Sequence, residues 1–314
     1  MKSASMSRKR RSSKPRASHP PLAGDWTSQK LQVLASYLKS YTTALKDQPS
    51  KDHPFRKGYV DGFAGTGYRD AHREESNSQT PLFPDLAEAD PQALLDGSAR
   101  IALKTEPCFD RYVFIERSAQ RCAQLEALKS EFPHLAGDIQ IQQGEANDEI
   151  RKMCAKDWRA HRAVMFLDAF GMQVEWKTLE AIARTKAIDL WLLFPLGMGV
   201  NRLLTKSGDI PQPWRHRLNV LLGTEDWSED LYKIETSPTL FGEEQERVVK
   251  ATTATIGRYF NDRLKTIFAG VSAEPGVLRN SKRNPLYLLC FAVGNDRGKE
   301  VALRIANHLL KELR

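Results

Sequence analysis

Five short apolar runs punctuate the first two thirds of the chain: Tyr59–Phe63, Tyr112–Ile115, the stretch around Ile139 and Ile141, Ala163–Leu167 and Leu190–Phe194. Stretches patterned as amphipathic helices lie between them. Parallel neighbours need a crossover of a dozen or more residues, so this alternation predicts a parallel sheet covered by helices on both faces. The expectation is an α/β fold with a doubly wound, mostly parallel sheet and helical insertions. Such sheets bind ligands beyond the carboxyl ends of their strands, and the loops following the runs are where chemistry is sought.

Order is expected to begin near Asp25. Leu31, Leu34, Leu38, Tyr41 and Leu45 recur at helical spacing, with Asp25 or Thr27 as a cap and Pro49 beyond the end. Further helices are predicted over about 119–132, 147–156, 176–185 and 299–313, one opens at Gly97-Ser98, and a buried strand is predicted over 286–293. Residues 68–97 form a polar excursion containing Pro81, Pro84 and Pro91. It is long for a connection inside a compact domain and reads as a loop insertion. After Pro195 the rhythm changes. Short helices and loops are expected over 199–245 and a longer helix over about 244–269, making 199–270 a mainly helical insertion. Residues 23–314 thus read as one decorated domain.

Charge is unevenly spread. The chain carries 47 Lys and Arg against 39 Asp and Glu, a formal +8. Residues 1–22 hold seven of those basic side chains and no acidic one, so the remaining 292 residues carry only +1. A tail so basic, rich in Ser and Pro and poor in apolar residues, is expected to be disordered. It can tether nucleic acid through phosphate contacts or serve only to keep the chain in solution. No apolar run approaches the roughly 20 residues of a membrane-spanning helix, and no secretory apolar core precedes residue 23. Cys108, Cys122, Cys154 and Cys290 are widely separated, without metal or redox spacing. The expectation is a cytoplasmic protein with reduced thiols, off the membrane and without a bound metal.

The strongest local motif is Tyr59-Val60-Asp61-Gly62-Phe63-Ala64-Gly65-Thr66-Gly67. Small residues there permit a sharp turn and close approach of backbone to a ligand. It is not a P-loop, since no Gly-Lys-Ser/Thr follows, and Asp70 stands where a dinucleotide fingerprint has its third glycine. Alone, such a motif can be a turn and nothing more. Three further predicted strands, however, end in an acid: Glu116, Glu145 and Asp168. With Asp61 they set four carboxylates along one sheet edge, suited to a ribose diol, an adenine amine and a cationic ligand carrying an amino group. Singly, each can equally be a solvated strand end or a helix cap.

With that order of motifs, residues 55–195 resemble the S-adenosylmethionine-dependent methyltransferases of Rossmann-like fold. Asp61-x-Phe63-Ala64-Gly65-x-Gly67 is similar to the F-x-G-x-G cofactor motif of the nucleic-acid methyltransferases. The resemblance implies that Asp61, Gly65 and Gly67 border the methionine moiety of S-adenosylmethionine, that Glu116 binds the ribose hydroxyls and that Glu145 lies near adenine. The chain also resembles the three-Cys-motif partner family. That likeness rests on Tyr59–Gly65, Gly97-Ser98, Asp168-Ala169-Phe170-Gly171 and the run Trp191-Leu192-Leu193-Phe194-Pro195-Leu196-Gly197-Met198-Gly199-Val200-Asn201. It implies a methyltransferase-like fold and a partner enzyme whose three-cysteine motif suggests iron–sulfur, radical-type chemistry.

Amine methyltransferases of nucleic acids carry an Asp/Asn-Pro-Pro-aromatic loop after the fourth strand, and Asp168-Ala169-Phe170-Gly171 is similar in place and in its first residue. Asp168 and Phe170 are thereby the candidate catalytic residues: the carboxylate to accept from a target amine, the ring to stack on a planar substrate or to fill the core. Both prolines are missing and the aromatic residue arrives one position early. Cytosine-ring chemistry is excluded, because Pro107-Cys108 precedes the second strand, and no G-x-S-x-G elbow supports a hydrolase. Pro195-Leu196-Gly197-Met198-Gly199 again falls at the ligand edge, where Asn201 and Arg202 can serve a base or phosphate; a tight corner is the alternative. Trp214, Arg215, Arg217, Trp227 and Tyr232 can grip single-stranded nucleic acid, cover the sheet or meet a protein. Two functions stay open: methyl transfer to an exocyclic amine in nucleic acid, and a non-catalytic partner of the three-Cys-motif enzyme.

Overall fold

The computed structural model describes residues 26–48, 50, 55–66, 97–238 and 244–313. The basic tail, Asp25, Pro49, Gly67 and most of the 68–97 excursion lie outside the described residues. In chain order the elements are α1 (Trp26–Ala44), β1 (Arg56–Asp61), α2 (Ser98–Leu103), β2 (Arg111–Glu116), α3 (Ala119–Glu131), β3 (Ile139–Gln143), α4 (Ala146–Cys154), β4 (His161–Leu167), α5 (Trp176–Arg184) and β5 (Ile188–Phe194). They continue with α6 (Asn201–Leu203), α7 (Gln212–Leu222), α8 (Trp227–Leu231), β6 (Tyr232–Pro238), β7 (Glu244–Lys250), α9 (Thr253–Lys265), β8 (Gly270–Val271), β9 (Gly276–Arg279), β10 (Pro285–Val293) and α10 (Lys299–Leu310).

The main sheet runs β3-β2-β1-β4-β5-β10-β8, with β9 also on β10. Its first five strands are parallel, and β10 runs antiparallel to β5, β8 and β9. The expected doubly wound, mostly parallel sheet is present. Winding reverses between β1 and β4, the point where a ligand crevice opens. Why these strands lie in the centre is plain from their sequences: every residue of β5 and the last five of β4 are buried, as a strand covered on both faces requires. One face packs against α4, α5, α7 and α9 around Leu179, Leu218 and Phe260; the other packs α1, α3 and α10 around Tyr37, Leu125 and Ala306. The second face is tied by aromatic contacts, Tyr37 and Phe291 both lying against Trp191 at 5.2 and 4.8 Å between ring centroids.

One expectation changes. Residues 244–250, read as the start of a long helix, form β7, paired antiparallel with β6 from Tyr232↔Lys250 to Pro238↔Glu244. The helix begins at Thr253, where the Thr252 hydroxyl accepts from the Thr255 amide. This hairpin presents its directly opposed Ile234 and Val248 to solvent, 68% and 40% exposed. With no buried face it leaves no alternation of apolar and polar residues to read. The aromatic and basic mixture at 214–232 is largely structural. Trp227 is fully buried with its indole N–H donating to Asn219 at 2.7 Å, Arg215 lies over its ring, and the Tyr232 hydroxyl donates to the Thr205 carbonyl. All four cysteines are free thiols. Among the described residues no helix is long and apolar enough to cross a membrane.

Candidate functional site

β1 ends at the switch point in register with both neighbours, Asp61 beside Phe114 of β2 and Phe166 of β4. The chain then turns. The Gly62 amide donates to the Phe166 carbonyl at 3.0 Å, and a Cβ at Gly62 would stand 2.5 Å from Leu167. A side chain there would have to displace the Leu167 and Ile150 methyl groups. Gly65 is needed for a different reason: its φ is +61°, and the space its Cβ would enter holds nothing within 4 Å. The turn therefore faces an opening. Glu116, at the tip of β2, closes one side of it, with Oε2 accepting from the Gly65 amide at 3.1 Å and Oε1 from the Ser118 amide at 2.8 Å. One oxygen thus fixes the turn and the other fixes the start of α3.

Asp61 is fully buried. Its carboxylate accepts from the Tyr59 hydroxyl at 3.2 Å, the Phe63 amide at 3.2 Å and the Ser98 hydroxyl. Burial pushes its carboxyl up to about 6; the donors work against that rise and the nearby Asp168 carboxylate adds to it. Desolvation raises the Tyr59 phenol well above its ordinary range, with Asp61 and Asp168 contributing. Three segments behind the family resemblance, Tyr59–Gly65, Gly97-Ser98 and the Asp168 loop, therefore converge on one polar cluster. Asp61 organises that cluster and the turn from within.

Asp168 follows β4 directly. Its Oδ2 is 2.5 Å from the Lys30 ammonium, whose own side chain is only 6% exposed against 26% for the acid. Lys30 comes from α1 and also lies over the Trp26 ring, 4.8 Å from its centroid, while Trp26 stacks on Tyr287 of β10 at 5.0 Å. Sequence reading missed Lys30 altogether, because a lysine among the leucines of an amphipathic helix gives no sign that it points inward. Phe170 stands two residues on and is 48% exposed, so its ring is not core.

Glu145 is exposed at the tip of β3 and caps α4, accepting from the Asp148 amide at 3.1 Å and the Asn147 side chain at 3.0 Å. Asn147, also missed, is a buried brace: its amide donates to the Gln173 carbonyl, and its Oδ1 accepts from the Glu175 amide and the Thr178 hydroxyl. It ties the tip of β3 to the chain leaving the Asp168 loop. At the end of β5 the backbone makes one wide turn, the Gly199 and Val200 amides both donating to the Pro195 carbonyl. A Cβ on Gly197 would meet the Pro285 carbonyl oxygen at 2.0 Å, and one on Gly199 would meet Met172 at 2.8 Å. Both glycines are forced by close approach.

The structure thus brings Asp61, Gly65, Glu116 and Asp168 to one switch-point edge, with Glu145 farther along it at β3; Gly67 lies outside the described residues. The open space at Gly65, beside a carboxylate ending β2, suits a nucleoside with a vicinal diol. With its strand order and antiparallel β10, the sheet is a doubly wound, mostly parallel, Rossmann-like one.

No protein-family model matches the chain, and no curated protein matches it. Among solved structures it is similar to the Legionella pneumophila protein LPL1258 of family-model DUF519, at 10% identity over 93% of each chain with a TM-score of 0.46. It is also similar to spermidine synthase from Thermotoga maritima, at 10% identity over 92% of this chain and 74% of that one, TM-score 0.37. A third is an S-adenosylmethionine-dependent methyltransferase from Clostridium acetobutylicum, at 10% identity over 84% and 92%, TM-score 0.37. These likenesses are distant, and the site stands on its own geometry.

Proposed function

We propose that the protein is an S-adenosylmethionine-dependent methyltransferase acting on an exocyclic amine in nucleic acid, and that it belongs with the three-Cys-motif partner family. The observation that carries this reading is the open turn at Gly65 facing the Glu116 carboxylate at the switch point, with Asp61, Ser98, Asp168 and Lys30 gathered beside it. Glu116 and the 62–66 turn hold the cofactor in this reading, with Glu145 toward its base. Bound there, S-adenosylmethionine supplies a methyl group on a positively charged sulfur.

The protein's own residues supply position. Asp168 Oδ1 makes no hydrogen bond among the described residues and can accept from a target amine, leaving the nitrogen lone pair free to be aimed. Lys30 holds the other oxygen and keeps the carboxylate oriented. Phe170, half exposed on the same loop, can stack on the plane of the acceptor. Calorimetric titration of S-adenosylmethionine and S-adenosylhomocysteine tests the first half of the reading, and absence of binding to folded protein overturns it. Transfer of labelled methyl groups into DNA, RNA and protein pools tests the second.

The Lys30–Asp168 pair also favours a second reading, a non-catalytic partner of a three-Cys-motif, radical-type enzyme, since an acid held by a buried lysine can be purely structural. Cofactor binding without transfer to any pool, with or without that enzyme, would favour this alternative. Cytoplasmic location belongs to either reading.

A further inference from the structure

Beyond β5, on the same edge of the sheet as Asp168, lies a cavity of about 350 Å³ whose polar lining comes from Asn201, Arg202, Thr253, Asn280 and Asn284 over a floor of Met198. We infer that this cavity receives a base of single-stranded nucleic acid and that the basic turn joining β9 to β10 holds the adjoining phosphates. The inference rests on the methyltransferase reading and gives its acceptor a place.

Position comes first. The wide turn forming one wall packs Gly199 against Met172, four residues past Asp168. The opposite wall, Pro285 and Leu286, adjoins Tyr287, on which Trp26 stacks beneath Lys30. Both walls of the cavity thus lead back to the segments that hold the acid. Its volume sits near the lower end of the roughly 300–1,000 Å³ common for ligand pockets, a nucleoside's scale more than a folded peptide's.

The lining is the second argument. Among the described residues no acid borders the cavity, and three carboxamides do. Each offers a donor beside an acceptor, the pairing that matches a base edge. Asn280 uses its Oδ1 on the Asn284 amide at 2.8 Å, which fixes the turn, while the side chains of Asn201 and Asn284 make no hydrogen bond among the described residues.

The turn itself is the third. Between Glu274 and Asp296 the chain has no acidic residue, yet Arg279, Lys282 and Arg283 are exposed there beside Arg202. The Asn280 amide donates to the Asn284 carbonyl, the Arg283 amide to the Asn280 carbonyl and the Arg279 guanidinium to the Arg283 carbonyl, which ties the turn together. Arg283 sits at φ +62°, a conformation that glycine or asparagine adopts at less cost. The other described non-glycine residue of this kind, Lys186, lies at the opposite edge. A long cation held in a strained backbone position beside a polar cavity suits a phosphate chain passing its mouth.

The test measures binding of short, mixed-sequence single-stranded RNA and DNA to the full chain across a salt series, alongside cofactor calorimetry. Changing Arg279, Lys282 and Arg283 together to Ala should weaken binding about tenfold and flatten the salt dependence by about two in logarithmic slope. Arg283→Gly alone should weaken binding while leaving the melting temperature unchanged or higher, a divergence that a merely structural arginine cannot produce. Asn201→Ala with Asn284→Ala should reduce methyl transfer with cofactor affinity intact. Preference between the RNA and DNA arms names the natural strand. Cofactor binding with no oligonucleotide binding, or oligonucleotide binding undiminished in the turn variants, overturns this inference and leaves the methyltransferase reading standing. Oligonucleotide binding that depends on the turn, with no cofactor binding, retains the cavity's ligand and removes the methyltransferase reading.

Discussion

Lys30 and Asp168 lie 138 positions apart and meet as an ion pair, Nζ 2.5 Å from Oδ2, with the lysine the more deeply buried partner. The asymmetry makes the two deletions unequal. Asp168→Ala leaves a buried ammonium without its counter-ion and should cost on the order of 3 kcal/mol, whereas Lys30→Met removes the charge that needs pairing and should cost less. Urea unfolding of both single variants and the double variant measures the difference. If the pair serves transfer, Lys30→Met and Asp168→Ala both keep cofactor affinity and lose transfer, and Asp168→Asn loses less, because its amide oxygen still accepts.

Glu116 fixes two backbone amides while facing the turn, so its loss should be felt with and without cofactor. Glu116→Ala should lower the melting temperature and weaken cofactor binding by about 1.5–3 kcal/mol, the scale of hydrogen bonds to a charged group. Thermal melts and calorimetry on the same preparation read both effects. Gly65→Val should block cofactor binding, since a branched side chain at φ +61° is strained and enters the open space before the turn.

Two buried acids set the response to pH. Burial pushes Asp61 up to about 6 and Asp189 up to about 7, from an ordinary 3.8; at Asp189 the Tyr37 hydroxyl, 2.8 Å away, and Arg162 oppose the rise. The folded state therefore holds protons that the unfolded chain has released. That stability is fully present below the unfolded value near 3.8 and is lost as pH rises through about 6 and then about 7. Denaturant midpoints should thus fall between about pH 4 and about pH 7, with each tenfold in proton affinity worth about 1.4 kcal/mol. Asp189→Asn, which still accepts from Tyr37, should flatten the upper part of that decline.

Ser98→Ala removes a donor that lowers the Asp61 carboxyl, so Asp61 should titrate above its present value of about 6. Carboxyl chemical shifts followed by NMR against pH would read the change directly.

Much of this was legible in the sequence, and the reasons differ by residue. Apolar runs bounded by turns marked β1 to β5 and β10, and the acids at their ends marked the ligand edge, because strand ends and small turn residues are local signals. Lys30 and Asn147 were hidden because their partners lie far along the chain. β7 was hidden because Glu244-Gln245-Glu246-Arg247 is rich in helix formers, while its strand state depends only on pairing with β6. Phe170 was read as core or stacking ring; burial alone decides the first, and its exposure removes it.

The position of β10 between β5 and β8 bears on how the protein is made. The strand that supplies Tyr287 leaves the ribosome long after α1, which brings Lys30 and stacks Trp26 on that tyrosine. Long-range pairings of this kind form late and slowly. A nascent chain therefore carries its cofactor turn well before its acceptor wall, and translation that stops short of residue 285 releases a product unable to assemble the second half of the site.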